Sequence, residues 1–300
     1  MELGCRIRIT LAAAIAIAGA GSVVVASSVE AGPAQLLPDL VTMRPLDSPW
    51  LDLNVHKKGG QKVAALRLSN RIGNHGAGPL ELFAGPEDAA CTSEGQYDGV
   101  DREADQRVFE DTNGNGTFER GTDGESTVQK VGCFEFHPDP SHLHWHFQDF
   151  SQYKLIDADT GEPVAGPSKK IGFCIIDNSP AAFPDLAGAP QNGVYPITGD
   201  GRCGFGNSED GPGRMGLSVG YADTYTMALP GQRLDVTAVS TGRYCLVSTA
   251  NPAHEPPESD PSQLLEATDQ NNARRTPIKI NLEKKRVKEV AGGCVSAPKS

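Results

Sequence analysis

Histidines at every second residue dominate the stretch FEFHPDPSHLHWH, residues 134–146. Side chains on a β-strand alternate between its two faces, so a strand through His142, His144 and His146 would place three imidazoles in one row. The residues between them would then face an apolar interior. The pattern therefore predicts a strand with one histidine-lined face and one buried face.

Imidazole is a ligand for copper, zinc, nickel and iron, and three neutral nitrogens on one wall leave coordination positions open for water, oxygen or substrate. His137 lies five residues before the triplet and is a candidate fourth ligand. The alternative is a histidine-rich surface loop or a purely structural zinc site. Strict alternation, with a further histidine close by, favours a metal site with His142, His144 and His146 as its ligands.

The composition predicts a β protein with many turns, since 34 glycines and 22 prolines occur among 300 residues. The hydrophobic content of 38% is enough for a sizeable core. Strand-like runs with turn signals between them lie at residues 62–70, 150–157, 234–239, 244–248 and 276–282. We therefore predict a mainly β, loop-rich β-sandwich with few short helices. A polar, acidic stretch at about residues 85–130 predicts an insertion.

Residues 1–31 have the pattern of a secretory signal peptide. A charged start and an apolar run precede small residues at the −3 and −1 positions of a cleavage site. A retained membrane anchor is the alternative, and no later stretch is long enough to span a bilayer. We expect a secreted protein without stable membrane insertion, in which residues 32–300 form a single domain.

Cleavage of this segment would leave six cysteines. An even number in an exported chain indicates disulfide bonds, although six cysteines allow fifteen pairings. The pairing that we predict is Cys91 with Cys133, Cys174 with Cys203 and Cys245 with Cys294.

The formal net charge is −11 at pH 7. An acidic surface disfavours binding to nucleic acid and to anionic lipid. It attracts cationic ligands, and amines belong to this class. The charge by itself establishes only solubility.

The sequence DTNGNGTFERGT, residues 111–122, matches the first half of a calcium-binding loop. Oxygen-bearing side chains stand at positions 1, 3 and 5, a glycine at position 6 and an acid at position 9. Position 12 is Thr122 in place of the usual bidentate glutamate, and a glycine-rich turn without metal is the alternative. The candidate ligands are Asp111, Asn113, Asn115 and Glu119.

Three features of the sequence occur in a fixed order. The run HLHWHFQDFSQYKLID, residues 142–157, comes first; Lys170 with Phe-Cys shortly after it comes second; GLSVGYADTY, residues 216–225, comes third. They resemble the copper-binding, lysine and quinone-tyrosine segments of the lysyl oxidase family. The similarity continues without a gap from Arg233 to Pro252. The FEFH segment is similar to a W-x-W-H motif of that family.

The resemblance implies copper at the histidines and a lysyl tyrosylquinone cofactor made by cross-linking Lys170 to Tyr225. It also implies a calcium site. The implied calcium ligands are Asp39, Leu40, Glu266, Asn271 and Asn272. Thr268 stands where the family has an aspartate, and most of the family's cysteines are absent.

The implied activity is the oxidation of primary amines, including lysine side chains of proteins, to aldehydes. Molecular oxygen would be consumed, and ammonia and hydrogen peroxide released. A carboxylate base would remove the α-proton of the substrate, and Asp223 is a candidate for it. The alternatives are a metal enzyme without a quinone, a non-catalytic extracellular metal-binding sandwich, and a family member that binds copper but never forms the quinone.

Overall fold

A computed structural model describes residues 33–87, 91, 101–138, 143–168, 172–179, 182–189, 193–195, 203, 213–252 and 264–295. Within these residues the strands are β1 Gln35–Leu36, β2 Leu40–Met43, β3 Leu51–Lys58, β4 Gln61–Leu68, β5 Asn70–Asn74, β6 Leu80–Glu87, β7 Asp101–Glu110, β8 Ser126–His137, β9 His144–Gln148, β10 Ser151–Asp157, β11 Pro163–Ala165, β12 Gly172–Phe173, β13 Arg214–Leu217, β14 Ala222–Tyr225, β15 Arg233–Asp235, β16 Gly242–Ala250, β17 Ala273–Asn281 and β18 Arg286–Glu289.

The described strands form antiparallel sheets, which confirms the predicted mainly β fold. The largest sheet has the order β12-β9-β8-β7-β6-β13, with β1 beside β7. A second sheet has the order β11-β10-β16-β17-β18, and two smaller sheets have the orders β14-β5-β2 and β15-β4-β3. The histidine-bearing strands β8 and β9 therefore lie near the β12 edge of the largest sheet.

Two clusters of buried apolar side chains join these sheets in pairs. Trp145, Phe134 and Phe173 of the largest sheet share one cluster with Leu40 and Ile72 of the β14-β5-β2 sheet. Each fully buried large apolar side chain contributes about 1.5–3 kcal/mol to folding. The aromatic side of β8 and β9 is therefore fixed by the core, and their other side carries the histidines.

The second cluster lies between the β10-containing sheet and the β15-β4-β3 sheet. Leu155, Leu246 and Ile278 from the former are buried with Leu53 and Leu66 from the latter. From Ser151 to Leu155, residues of β10 are alternately buried and partly exposed, as expected for a strand with one face against a core.

The three disulfide bonds are Cys91–Cys133, Cys174–Cys203 and Cys245–Cys294. They confirm the predicted pairing. Each closes a loop of 29 to 49 residues. Cross-linking a loop of such length raises the free energy of unfolding by about 3–4 kcal/mol.

The stretch at residues 85–130, for which an insertion was predicted, contains β7, which lies inside the largest sheet between β6 and β8. Its buried positions include the small Ala104 and the polar Gln106. The amide of Gln106 donates to the carbonyl of Leu265 and accepts from its N–H, both at 2.8 Å. Because these buried side chains are small or polar, the sequence alone does not indicate that the strand is buried.

In the described part of the chain there is no α-helix, and so none long and apolar enough to cross a membrane. The apolar run predicted as part of a signal peptide lies outside the described residues. Residues 169–171, which include Lys170, also lie outside them. Within the described segment 172–179, Gly172 and Phe173 pair with β9.

Glu81 of β6 binds side chains of the two neighbouring strands, β7 and β13, and of Tyr195 outside the sheet. Its buried carboxylate accepts hydrogen bonds from Arg107 at 2.7 Å, from Tyr195 at 2.6 Å and from Arg214 at 2.5 Å. Burial alone would raise the pKa of Glu81, but the hydrogen bonds of Tyr195 and Arg214 and the charges of both arginines lower it below 4.5. The ionised form is therefore stabilised by folding.

We expect Glu81→Gln to lower the free energy of unfolding at pH 7 by about 1–3 kcal/mol, because the charge-assisted hydrogen bonds are lost. A carboxyl group whose pKa is lowered by folding contributes stability above its unfolded pKa and loses it as pH falls through its folded pKa. The difference between the two proteins should therefore shrink below about pH 4.5. Urea unfolding across pH measures it, and Glu283→Gln, at an exposed position, should change little. An undiminished difference at low pH would contradict the assignment.

Candidate metal centre

The pairing of β8 with β9 brings the histidines of these two strands together. His137 lies opposite His144, and Glu135 lies opposite His146. Directly opposed residues of antiparallel strands project from the same face with Cβ atoms about 4.5–5.5 Å apart. The four side chains therefore form one compact group on the face away from Trp145.

The imidazoles of this group are close and largely buried. The ring centroids of His144 and His146 are 4.6 Å apart, and those of His137 and His146 are 5.7 Å apart. His146 is 4% exposed and His137 is 8% exposed. Clustered imidazoles with limited solvent access are a suitable donor set for copper or zinc.

His142, the first member of the predicted triplet, lies outside the described residues. Leu143 has a φ of 43°, so the regular strand begins at His144 and the predicted alternation does not extend back through residue 143. Within the residues that the structure describes, no three His, Cys, Asp or Glu side chains converge closely enough to enclose a metal ion. His137 joins the cluster from the neighbouring strand.

The backbone of β12 lies against His146. Gly172 pairs with Gln148, and a Cβ atom at residue 172 would stand 2.9 Å from the Cβ of His146 and 3.4 Å from its Nδ1. Contacts below 3.0 Å do not occur between real Cβ atoms, so this approach requires glycine. The absence of a side chain at Gly172 thus fixes the distance between β12 and the histidine cluster.

Tyr225, the predicted quinone tyrosine, lies on the other side of the same short segment. Its hydroxyl donates to the carbonyl of Cys174 at 2.6 Å, and its ring stands edge-on to Phe173 with centroids 5.0 Å apart. Residues 172–174 therefore contact both the histidine cluster and Tyr225. Lys170 lies outside the described residues, two positions before Gly172.

Asp223, the candidate base, is buried and holds the strand of Tyr225 through Asn178. The Asn178 amide donates to Asp223 at 2.7 Å, and its oxygen accepts from the N–H of Thr224 at 2.7 Å. Burial raises the pKa of Asp223 well above its usual value. Its role as a base stays a prediction, and the contacts give it a positioning role as well.

The residues of the calcium site implied by the resemblance lie together. Glu266 accepts from the N–H of Leu40 at 2.9 Å and from the amide of Asn272 at 2.6 Å. Asn271 donates to Asp39 at 2.9 Å. The Oδ1 atoms of both asparagines are buried without a hydrogen-bond partner in the described structure.

Two carboxylates and two orphaned amide oxygens form the all-oxygen donor set that Ca²⁺ prefers. Burial raises the pKa of Glu266, and the charge of Asp39 raises it further. Asn251, which the sequence analysis missed, also donates to Glu266 at 2.7 Å. Its only sequence signal is a position at the end of the segment Arg233 to Pro252.

The second calcium candidate forms a tight loop that is closed by its own hydrogen bonds. Asp111 accepts from the N–H groups of Gly114 and Gly116, both at 2.8 Å. Asn113 and Asn115 donate to the two oxygens of Glu119. The sequence analysis missed Asp123, whose carboxylate accepts from the N–H of Glu119 at 2.7 Å and from that of Thr112 at 3.1 Å.

Comparisons with known proteins find similarity over part of the chain. The family model described as lysyl oxidase matches residues 202–287, which include Tyr225 but not the histidine strands. Over 123 residues, or 40% of this chain, the sequence is 33% identical to lysyl oxidase homolog 1 of Homo sapiens and covers 17% of it. Over the same length it is 32% identical to protein-lysine 6-oxidase of Sus scrofa and covers 40% of it.

A third relative is protein-lysine 6-oxidase of Gallus gallus, 31% identical over 128 residues, which are 41% of this chain and 25% of that protein. The chain thus spans less than half the length of each of these relatives. The segment order, the β fold and these matches agree, and over the matched part the chain is similar to the lysyl oxidase family.

Proposed function

We propose that the protein is a secreted, copper-dependent amine oxidase that uses a quinone formed from Lys170 and Tyr225. The observation that carries this proposal is the position of residues 172–174, which contact His146 on one side and Tyr225 on the other. Lys170 precedes them by two residues. One short segment thus contacts His146 and Tyr225 and follows Lys170 closely in the sequence.

The proposed copper ligands are His142, His144 and His146, with His137 as a further candidate. Loaded with copper and oxygen, such a site supplies the oxidation of Tyr225 to a quinone, and the finished quinone supplies a carbonyl and a two-electron acceptor for a primary amine. The chain's own residues orient this chemistry. The carbonyl of Cys174 accepts the hydrogen bond of the Tyr225 hydroxyl, and the ring of Phe173 packs against the phenol ring.

The substrate proposed is a primary amine or a lysine side chain of a protein, with molecular oxygen as the second substrate. The net charge of −11 attracts cationic amines and disfavours nucleic acid. The disulfides suit an oxidising, extracellular compartment. Removal of residues 1–31 as a signal peptide belongs to the same proposal.

Calcium is proposed at Asp39, Leu40, Glu266, Asn271 and Asn272. These residues join the start of β2 to the segment before β17, which are far apart in sequence. A calcium ion there would act on stability and would not take part in amine oxidation. The loop with Asp111, Asn113, Asn115 and Glu119 is the second, weaker candidate, because its oxygens already serve internal hydrogen bonds.

An extracellular metal-binding β-sandwich without a quinone is the alternative function. The buried imidazole cluster would serve it equally, because metal binding by histidines does not need Tyr225. The two functions differ in whether Lys170 and Tyr225 become covalently joined.

Peptide mapping of protein secreted from a copper-supplemented culture should give a cross-linked peptide pair containing Lys170 and Tyr225, labelled by phenylhydrazine. Tyr225→Phe should abolish the adduct because no phenol is left to oxidise. Tyr244→Phe, in the other core cluster, is the matched control and should keep it. Copper-loaded protein with both peptides unmodified would leave the quinone-free alternative.

Gly172→Ala should weaken copper binding by about tenfold, because the new methyl group would displace His146. Competition with a chromogenic chelator measures the affinity. Gly124→Ala is the matched control, since a Cβ atom there would meet nothing within 4 Å. Equal affinities of all three proteins would show that His146 is not a ligand.

Calcium should raise the midpoint of thermal unfolding of the wild-type protein. Binding to the folded state alone stabilises by about 2.7 kcal/mol at a hundredfold excess over Kd. Glu266→Gln should lose most of this response, whereas Asp111→Asn should keep it. If Asp111→Asn loses the response and Glu266→Gln keeps it, the loop that contains Asp111 is the calcium site.

A further inference from the structure

A buried carboxylate shares the face of the histidine cluster. Glu135 is 0% exposed and is the direct partner of His146 across β8 and β9. The metal and quinone chemistry described so far gives this residue no role. Its place in the stretch FEFH, two residues before His137, puts it on the histidine face of β8.

The neighbours of Glu135 along β8 define the side of the sheet to which its side chain projects. Phe134 and Phe136 pair with Phe147 and Trp145, and all four rings belong to the apolar cluster on the opposite face. Side chains alternate along the strand, so Glu135 must project among the imidazoles. Register and core packing therefore agree on its position.

Burial of a carboxylate is costly unless cations or hydrogen-bond donors compensate for it. On β7 the partner of Glu135 is Asp101, another acid, so the row across the sheet reads Asp101, Glu135, His146. The histidines, on the other side of Glu135 in this row, are a source of positive charge or N–H donors on this face. An imidazole cluster that holds a metal ion provides both.

We propose that Glu135 is the outer carboxylate of the histidine cluster: it orients the imidazoles, His146 first among them, and places a negative charge beside the metal. It is a positioning residue, since it acts on the ligands and is not itself a ligand. The inference rests on the proposed function, in that it requires copper at these histidines.

The physical basis is that metal-binding imidazoles generally use their second ring nitrogen to donate to a carboxylate, a carbonyl or water. Such a partner fixes the ring orientation and raises the basicity of the ligand. Loss of an outer partner of this kind typically weakens metal binding by about 10–100-fold. A carboxylate in a poorly solvated site also attracts a divalent cation more strongly than one in water.

The test is copper affinity and the electron paramagnetic resonance spectrum of the Cu²⁺-loaded full-length protein. Glu135→Gln keeps the size of the side chain and removes its charge, and should weaken Cu²⁺ binding by about 10–100-fold and change the copper hyperfine splitting. Glu135→Asp restores a carboxylate and should recover part of the affinity. Asp101→Asn, one strand further from His146 in the same row, should have a much smaller effect.

The outcomes separate this inference from the function on which it rests. A wild-type protein that binds no Cu²⁺ would overturn the proposed function. A wild-type protein that binds Cu²⁺, with Glu135→Gln matching it in affinity and spectrum, would overturn the role of Glu135 alone. Equal losses in Glu135→Gln and Asp101→Asn would reduce the role to general surface charge and also overturn it. Circular dichroism of each variant identifies one that fails to fold, for which the spectrum of Glu135→Asp then decides.

Discussion

The register between β8 and β9 is the constraint on which the candidate metal centre depends. It pairs His137 with His144 and, two residues along, Glu135 with His146. The aromatic residues on the opposite face hold this register, because a slip by one residue would turn Trp145 towards the histidine side. The apolar core thus fixes the polar site through alternation along two strands.

The short strand β12, which pairs with β9, connects the histidine cluster to Tyr225. β12 contains only Gly172 and Phe173, yet it meets His146 through the glycine and Tyr225 through the phenylalanine. Asn178, a few residues further, binds both Asp223 and the backbone of Thr224. A short and irregular stretch therefore positions two elements that are far apart in sequence.

Much of this could be predicted from sequence where the signal is local. Periodicity predicted the β fold, and the spacing of His144 and His146 predicted their shared face. The left-handed Leu143 could not be foreseen, since nothing in its sequence context distinguishes it from a strand residue. The position of β7 inside the sheet could not be predicted, because Gln106 is buried with its hydrogen bonds made, which composition does not reveal.

The partners of a site residue depend on pairing between strands, so Glu135 and Asn251 were missed. Glu135 had a usable signal, its position two residues before His137, but its burial depends on strands that the local pattern does not identify. Asn251 contacts Glu266 because the fold brings two separate segments of the chain together. The residue types that bind a metal can be recognised in a sequence, whereas the groups that surround them are known only from the fold.

The Cys174–Cys203 bond gives the tyrosine site a dependence on its surroundings. Cys174 is tethered through its sulfur and, through its carbonyl oxygen, accepts the hydroxyl of Tyr225. A chain that folds before this bond forms would lack the anchor of the group that orients the phenol. Under the proposed function, oxidation of Tyr225 would then follow oxidative folding, and protein made in a reducing cytosol would contain the right residues in an unprepared site.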